Sequence, residues 1–85
     1  MTSALRTPSL QPNIDSPREH LVRASDRLWR VVENGTERII GHLRVMSADE
    51  GLRYRAERLH RPTSTFRPVG DFWRADDAVQ SLRNG

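Results

Sequence analysis

From Leu28 to Leu59, apolar and polar residues alternate in three runs with the period of a β-strand. The runs are LWRVV, RIIGHLRVM and LRYRAERL, and they are rich in β-branched and aromatic residues. The segments between them, ENGTE and SADEG, have the composition of turns. This order predicts an antiparallel meander of three strands, with STFR after Pro62 as a short fourth strand at the sheet edge.

The first turn decides which side chains share a face, because a loop that is longer by one residue reverses the assignment. A two-residue Asn34-Gly35 turn would place Trp29 and Val31 beside arginines and a histidine. A three-residue loop that ends at Gly35, with this glycine in the left-handed region, produces a wholly apolar face, and we predict this second form. The predicted apolar face consists of Trp29, Val31, Ile39, Leu43, Val45, Leu52, Tyr54 and Ala56.

A helical period replaces the strand period near the C-terminal end of the chain. Four apolar residues at spacings of three, four and three form one stripe of a helix, which is expected to pack on the apolar face of the sheet. Asp71 is the candidate N-cap, and the pair Asp76-Asp77 lies near the positive end of the helix dipole. Asn84-Gly85 ends the predicted helix. The stripe consists of Phe72, Ala75, Val79 and Leu82.

The N-terminal part of the chain has a different character. Residues 1–15 contain two prolines among polar residues and aliphatics without a period, which predicts a flexible arm. Residues 16–25 begin with SPRE, the pattern of a capping box, which predicts a short capped helix. Residues 26–85 then form one small domain. The predicted fold class is α+β: a three- to four-stranded antiparallel sheet with a C-terminal helix on one face and a short N-terminal helix.

Composition limits the classes of protein to which the chain can belong. Its 85 residues suffice for one small domain, and the lack of cysteine excludes disulfides and thiolate metal sites. All 14 basic residues are arginine, and the formal net charge is +3. Arginine suits the binding of phosphate through its planar fork, but a genome of high GC content would favour arginine codons everywhere.

Candidate catalytic and metal-binding groups are absent from the sequence pattern. His20, His42 and His60 lie far apart, and none has a second ligand at chelating spacing. No serine has a neighbouring base, and no Gly-rich phosphate loop is present. We therefore expect no catalytic residues, no metal, no cofactor and no enzyme activity. No apolar run has the length of a signal peptide or a membrane span, so we expect a cytoplasmic protein without a membrane partner.

The order of elements between residues 28 and 83 has a counterpart in known families. WRVV, the turn that contains Asn34-Gly35, RYRAERL and the closing DDAVQSLR resemble AP2-type domains and the N-terminal arm-binding domains of tyrosine-family integrases. This resemblance implies a sheet whose exposed face lies in the DNA major groove, although IIGHLRVM is more aliphatic than the strands of such domains. The block FRPVGDFWRADDAVQSLR also resembles the ending of small uncharacterised actinobacterial proteins.

The predicted N-terminal helix could fold over the second face of the sheet, and two hypotheses of function follow if this face is exposed. In the first, the protein is a nucleic-acid-binding module, with DNA as the favoured partner, whose arginines neutralise phosphates while His42 or an arginine contacts base edges. The predicted nucleic-acid-binding residues are Arg30, His42, Arg44, Arg53, Arg55, Arg58, Arg61 and Arg67.

In the second hypothesis, the same face binds a protein partner or a second copy of the chain. Val32, Ile40 and Met46 would then form an apolar centre, and the arginines would form the rim. Trp73 lies beside the helix stripe, which favours packing over the sheet edge, with an exposed partner anchor as the alternative. The sequence leaves both hypotheses open.

Overall fold

The computed structural model of the protein describes residues 11–83, which form five antiparallel strands followed by one helix. The elements are β1 (Glu19–Ser25), β2 (Leu28–Glu33), β3 (Ile39–Ala48), β4 (Gly51–His60), β5 (Thr65–Phe72) and α1 (Ala75–Arg83). Each strand pairs with the next, so the order β1-β2-β3-β4-β5 is a meander. The predicted α+β class with a C-terminal helix is confirmed, but the sheet has five strands rather than three or four.

The apolar core lies between one face of the sheet and α1, which contacts β3, β4 and β5. The predicted stripe is confirmed for three of its members on α1, and Ala78 is buried with them. Phe72 ends β5 and packs against the core from the strand rather than from the helix. The buried cluster consists of Trp29, Val31, Leu43, Val45, Ala56, Ala75, Ala78, Val79 and Leu82.

Gly41 in β3 allows α1 to approach the sheet closely. A Cβ atom at this position would overlap the carbonyl oxygen of Glu57 in β4. It would also lie 2.9 and 3.0 Å from the two terminal methyl carbons of Leu82. The missing side chain therefore leaves room for Leu82, which fills the space above the centre of the sheet.

The β2–β3 loop is longer than predicted, but the predicted faces are largely kept. β2 ends at Glu33 and β3 begins at Ile39, and Gly35 has a φ of 94°, as expected for the left-handed region. A bulge in β3 compensates for the different loop length, because it adds one residue before the strand reaches the core. Its consequence is that Ile40, not Ile39, contacts the core cluster.

The prediction of a capped helix over residues 16–25 is wrong, because Glu19–Ser25 forms β1 and pairs with β2. The capping-box side chains do interact, since the Ser16 hydroxyl donates to the Glu19 carboxylate at 2.7 Å, but they do so where a strand begins. The carboxylate of Glu19 is almost fully buried and also accepts a hydrogen bond from Arg83 of α1 at 2.9 Å. Pairing with β2 and with α1 thus outweighs the local helix signal.

The predicted flexible arm of residues 1–15 falls partly outside the described residues, which begin at residue 11. Over residues 11–15 the chain contacts the folded domain. Pro12 is buried, and Ile14 packs against the core cluster. The backbone N–H of Asp15 donates to both carboxylate oxygens of Asp76 at 3.0 Å. The domain therefore starts well before residue 26, and Asp76 holds this segment at the first turn of α1.

Candidate functional site

The side of the sheet opposite α1, here called the open face, carries five of the eight predicted binding residues. Directly opposed residues of neighbouring strands share a face, and Arg30 lies opposite His42 while Arg44 lies opposite Arg55. Within residues 11–83, no helix or strand covers this face. The open face comprises His20, Val22, Leu28, Arg30, Val32, His42, Arg44, Met46, Arg53, Arg55, Glu57, Leu59, Phe66 and Asp71.

Two arginines face each other across β3 and β4 at the centre of the open face. Like charges in this position are destabilising unless a carboxylate separates them. Glu57 accepts from Arg44 at 3.2 and 3.4 Å, and Asp71 accepts from Arg55 at 2.8 and 3.2 Å. The pair Arg44–Arg55 is thus flanked by one carboxylate on each side, and each arginine uses two nitrogens for its partner.

Arg30 and Arg53 are the remaining cations of the open face. Neither forms an ion pair with a carboxylate of the described residues. The Arg53 guanidinium donates to the backbone carbonyl of Asp71 at 3.2 Å and lies 4.3 Å from the centroid of the Trp73 ring. Four arginines against two carboxylates leave the open face with an excess of two positive charges.

His42 is packed into the open face rather than projecting from it. Its ring stacks on Phe66, with centroids 3.6 Å apart, and its side chain is 14% exposed. Burial lowers the pKa of His42, and the nearby charges of Arg30 and Arg44 lower this pKa further, whereas Glu57 opposes them. A neutral, covered imidazole ring has little access to base edges, so the arginines are the better candidates for direct contact.

The other three predicted binding residues lie away from the open face. Arg58 belongs to the α1 side of the sheet, where it donates to the carbonyl of Ser81 at 2.8 Å. Arg67 lies opposite Arg58 in the β4–β5 ladder, and Arg61 in the turn donates to the carbonyl of Ile39 at 3.0 Å. The positions of Arg58 and Arg67 follow from strand alternation, which reverses the side after each residue, whereas Arg61 lies in the turn after β4.

Asp71 and Trp73 complete the site; the sequence indicated a helix cap for Asp71 and favoured edge packing for Trp73, with an exposed partner anchor as the alternative. Asp71 is a residue of β5 paired with Arg55 and is not the N-cap of α1, which begins at Ala75. Trp73 is 53% exposed, and its ring contacts the Arg53 guanidinium of β4. A strand that continued through Asp71 and Phe72 would have placed Asp71 and Trp73 on the open face, and this alternation was the available signal.

A pH titration tests the geometry of the Arg55–Asp71 pair. The hydrogen bond from Arg55 is the largest influence and lowers the pKa of Asp71; burial opposes it, and the charges of Arg55 and Arg53 add smaller decreases. The pair therefore stabilises the fold above the pKa of the unfolded chain, and its contribution is lost as the pH falls through the lower pKa of the folded state. We expect Arg55→Gln to raise the pKa of Asp71 toward its ordinary value in an NMR titration.

The control for this titration is Arg38→Gln, which removes the same charge from the β2–β3 loop. It should leave the pKa of Asp71 unchanged. An Asp71 pKa that does not move in Arg55→Gln would contradict the hydrogen-bonded pairing of the two side chains.

Comparison with protein-family models, with curated proteins and with solved structures finds no match to this chain. The resemblances to DNA-binding domains and to actinobacterial proteins therefore stay predictions. Within residues 28–83 the structure has four strands before the helix, one more than the three-stranded sheet of the resemblance.

Across residues 11–83, no helix has the length and apolar character needed to cross a membrane. The same residues contain no group of three or more side chains suited to hold a metal ion.

Proposed function

We propose that the protein binds nucleic acid through the open face of its sheet. The observation that carries this proposal is the charge of the open face, which has four arginines and two carboxylates and which no helix or strand of residues 11–83 covers. Arg30 and Arg53 are available for phosphate oxygens without the loss of an internal ion pair. Phosphate contacts of this kind supply most of the affinity of nucleic-acid binding that does not depend on sequence.

The spacing of the arginines also supports a polyanionic strand as the partner. Arg30, Arg44 and Arg55 lie on three adjacent strands of the sheet. Neighbouring strands are ~4.8 Å apart, so these residues span ~10 Å across the face. Phosphates of one strand follow each other at a rise of ~3.4 Å along the helix axis, so a strand that crosses this width can present more than one phosphate to the arginines.

A hydrophobic protein interface has less support on the open face. Its predicted apolar centre is largely closed, since Val32 is only 6% exposed and Ile40 contacts the core cluster. The exposed large apolar residues of the described chain are Val22, Val69 and Trp73. Val22 lies on β1 and Val69 lies on β5, at opposite edges of the sheet, so these two side chains form no continuous patch.

The salt dependence of binding tests the proposal. Wild-type protein would be titrated into a labelled 20-base-pair duplex of mixed sequence, and into one of its single strands, at several salt concentrations. Four phosphate contacts predict a slope of about −3.5 for log K against log salt on the duplex. In the double variant Arg30→Gln/Arg53→Gln, we expect the slope to become shallower by about two units, because each lost contact releases nearly one counterion fewer.

The matched control is Arg18→Gln/Arg38→Gln, which removes two exposed arginines outside the open face and so has the same net charge. It should keep the wild-type slope. Both double variants should keep a melting curve close to that of the wild type, because surface substitutions typically change stability by about 0.5 kcal/mol or less. A wild type that binds neither oligonucleotide at low salt, or equal slopes in the two variants, would contradict the proposal. Sedimentation of the wild type would then test self-association.

A further inference from the structure

Trp73 is the most exposed large apolar side chain of the described residues. It is 53% exposed, whereas the second tryptophan, Trp29, is 3% exposed in the core. Tryptophan is usually well buried on average, because its ring is the largest apolar surface that a side chain can offer. The position of Trp73 beside Asp71, at the end of β5, makes its ring part of the border of the open face.

The ring of Trp73 is held in place by Arg53. The Arg53 guanidinium lies 4.3 Å from the ring centroid, the arrangement of a cation–π contact. A hydrogen bond from Arg53 to the backbone carbonyl of Asp71 at 3.2 Å fixes the guanidinium in turn. Arg53 therefore holds the Trp73 ring at the border of the open face, where about half of the Trp73 surface stays exposed.

We propose that Trp73 and Arg53 form a stacking platform for one unpaired nucleobase, so that the protein prefers single-stranded nucleic acid to duplex. This inference rests on the proposed function. Every base has a π-face that can stack on an aromatic ring, but in a duplex that face is occupied by the neighbouring base pairs. Only an unpaired base can therefore stack on the Trp73 ring.

Fluorescence reads this contact directly, because the second tryptophan is buried. Binding of a single-stranded 12-mer of thymidine should quench the emission of Trp73, and the emission of Trp29 should stay as a constant background. In Trp73→Ala, we expect the affinity for the 12-mer to fall between about fivefold and 150-fold, the range for stacking of one base on an aromatic ring. The affinity for a 12-base-pair duplex should stay within about twofold.

Two further variants separate stacking from a general effect on the fold. Trp73→Phe keeps an aromatic ring and should retain most of the single-strand affinity. Val69→Ala removes another exposed apolar side chain of β5 and should change neither affinity. If Trp73→Ala and Val69→Ala lose the same affinity for both nucleic acids, the platform is refuted and the changes act on the fold.

The outcomes for this inference and for the proposed function differ. Equal affinity of the wild type for duplex and 12-mer, without quenching, would overturn the stacking platform and leave the basic face as a binding surface. Failure to bind either nucleic acid would overturn both. In that case the Trp73 emission would be compared between a dilute sample and a concentrated sample that sediments as a dimer. A change on dimerisation would show that the exposed ring contacts a second copy of the chain, which also refutes the platform.

Discussion

Replacement of Leu82 by aspartate is expected to unfold the protein. Leu82 is 6% exposed and contacts the sheet at Gly41, so the new carboxylate would lie in the apolar core. Loss of a buried leucine side chain costs about 2–5 kcal/mol, and an unpaired buried charge costs several kcal/mol more. A chain of 85 residues has an expected free energy of unfolding of about 4–13 kcal/mol, so the combined loss removes most or all of it.

Far-UV circular dichroism and thermal melting would measure this effect. Gln80→Asp is the matched control, because Gln80 lies on the exposed side of the same helix and the substitution introduces the same side chain. Gln80→Asp should melt cooperatively near the wild-type temperature. A cooperative transition of Leu82→Asp within a few degrees of the wild type would show that α1 does not pack on the sheet as described.

The second large effect is expected for Gly41→Ala, although it adds only one methyl group. The new Cβ atom would overlap the carbonyl oxygen of Glu57 and crowd both methyl groups of Leu82. The backbone of Glu57 is held in the β3–β4 ladder and cannot move away without the loss of cross-strand pairs. Overpacking of this kind costs ~3 kcal/mol, which corresponds to a decrease of more than ~10 °C in Tm for a domain of this size.

Gly70→Ala is the control for this second prediction. Gly70 also lies in a strand, but a Cβ atom there would meet only the Phe72 ring at 3.4 Å, an ordinary contact. Alanine lowers the conformational entropy of the unfolded chain relative to glycine, so the Tm of Gly70→Ala should stay unchanged or rise slightly. Equal Tm values for the two glycine variants would contradict the close packing of α1 on β3 at Gly41.

The faces of β4 show how far local periodicity reaches. Leu52, Tyr54 and Ala56 point to the core while Arg53 and Arg55 point to the open face, as their alternation predicts. Side chains alternate along any extended strand, so this assignment needs no knowledge of the partner strands. The shared face of the open-face arginines could be predicted for the same reason.

The partners of these arginines could not be predicted in the same way. Asp71 meets Arg55 because β5 pairs with β4 in one particular register, and a bulge in the ladder sets that register. Sequence alone favoured the equally reasonable role of a helix cap for Asp71. The ion pairs that reduce the positive charge of the face, and the contact of Arg53 with Trp73, therefore became known only from the structure.

The sequence by itself determined the α+β class, the apolar faces of β2 and β4 and the buried stripe of α1, because these depend on a period that repeats within each element. Tertiary structure alone decided that residues 19–25 form a strand, since their capping-box pattern satisfies the local rules for a helix. The deciding contacts come from β2 and from Arg83, which is 64 residues away from Glu19 in the chain. Backbone pairing and burial of Glu19 are gained only when these distant segments meet, and no local pattern records that gain.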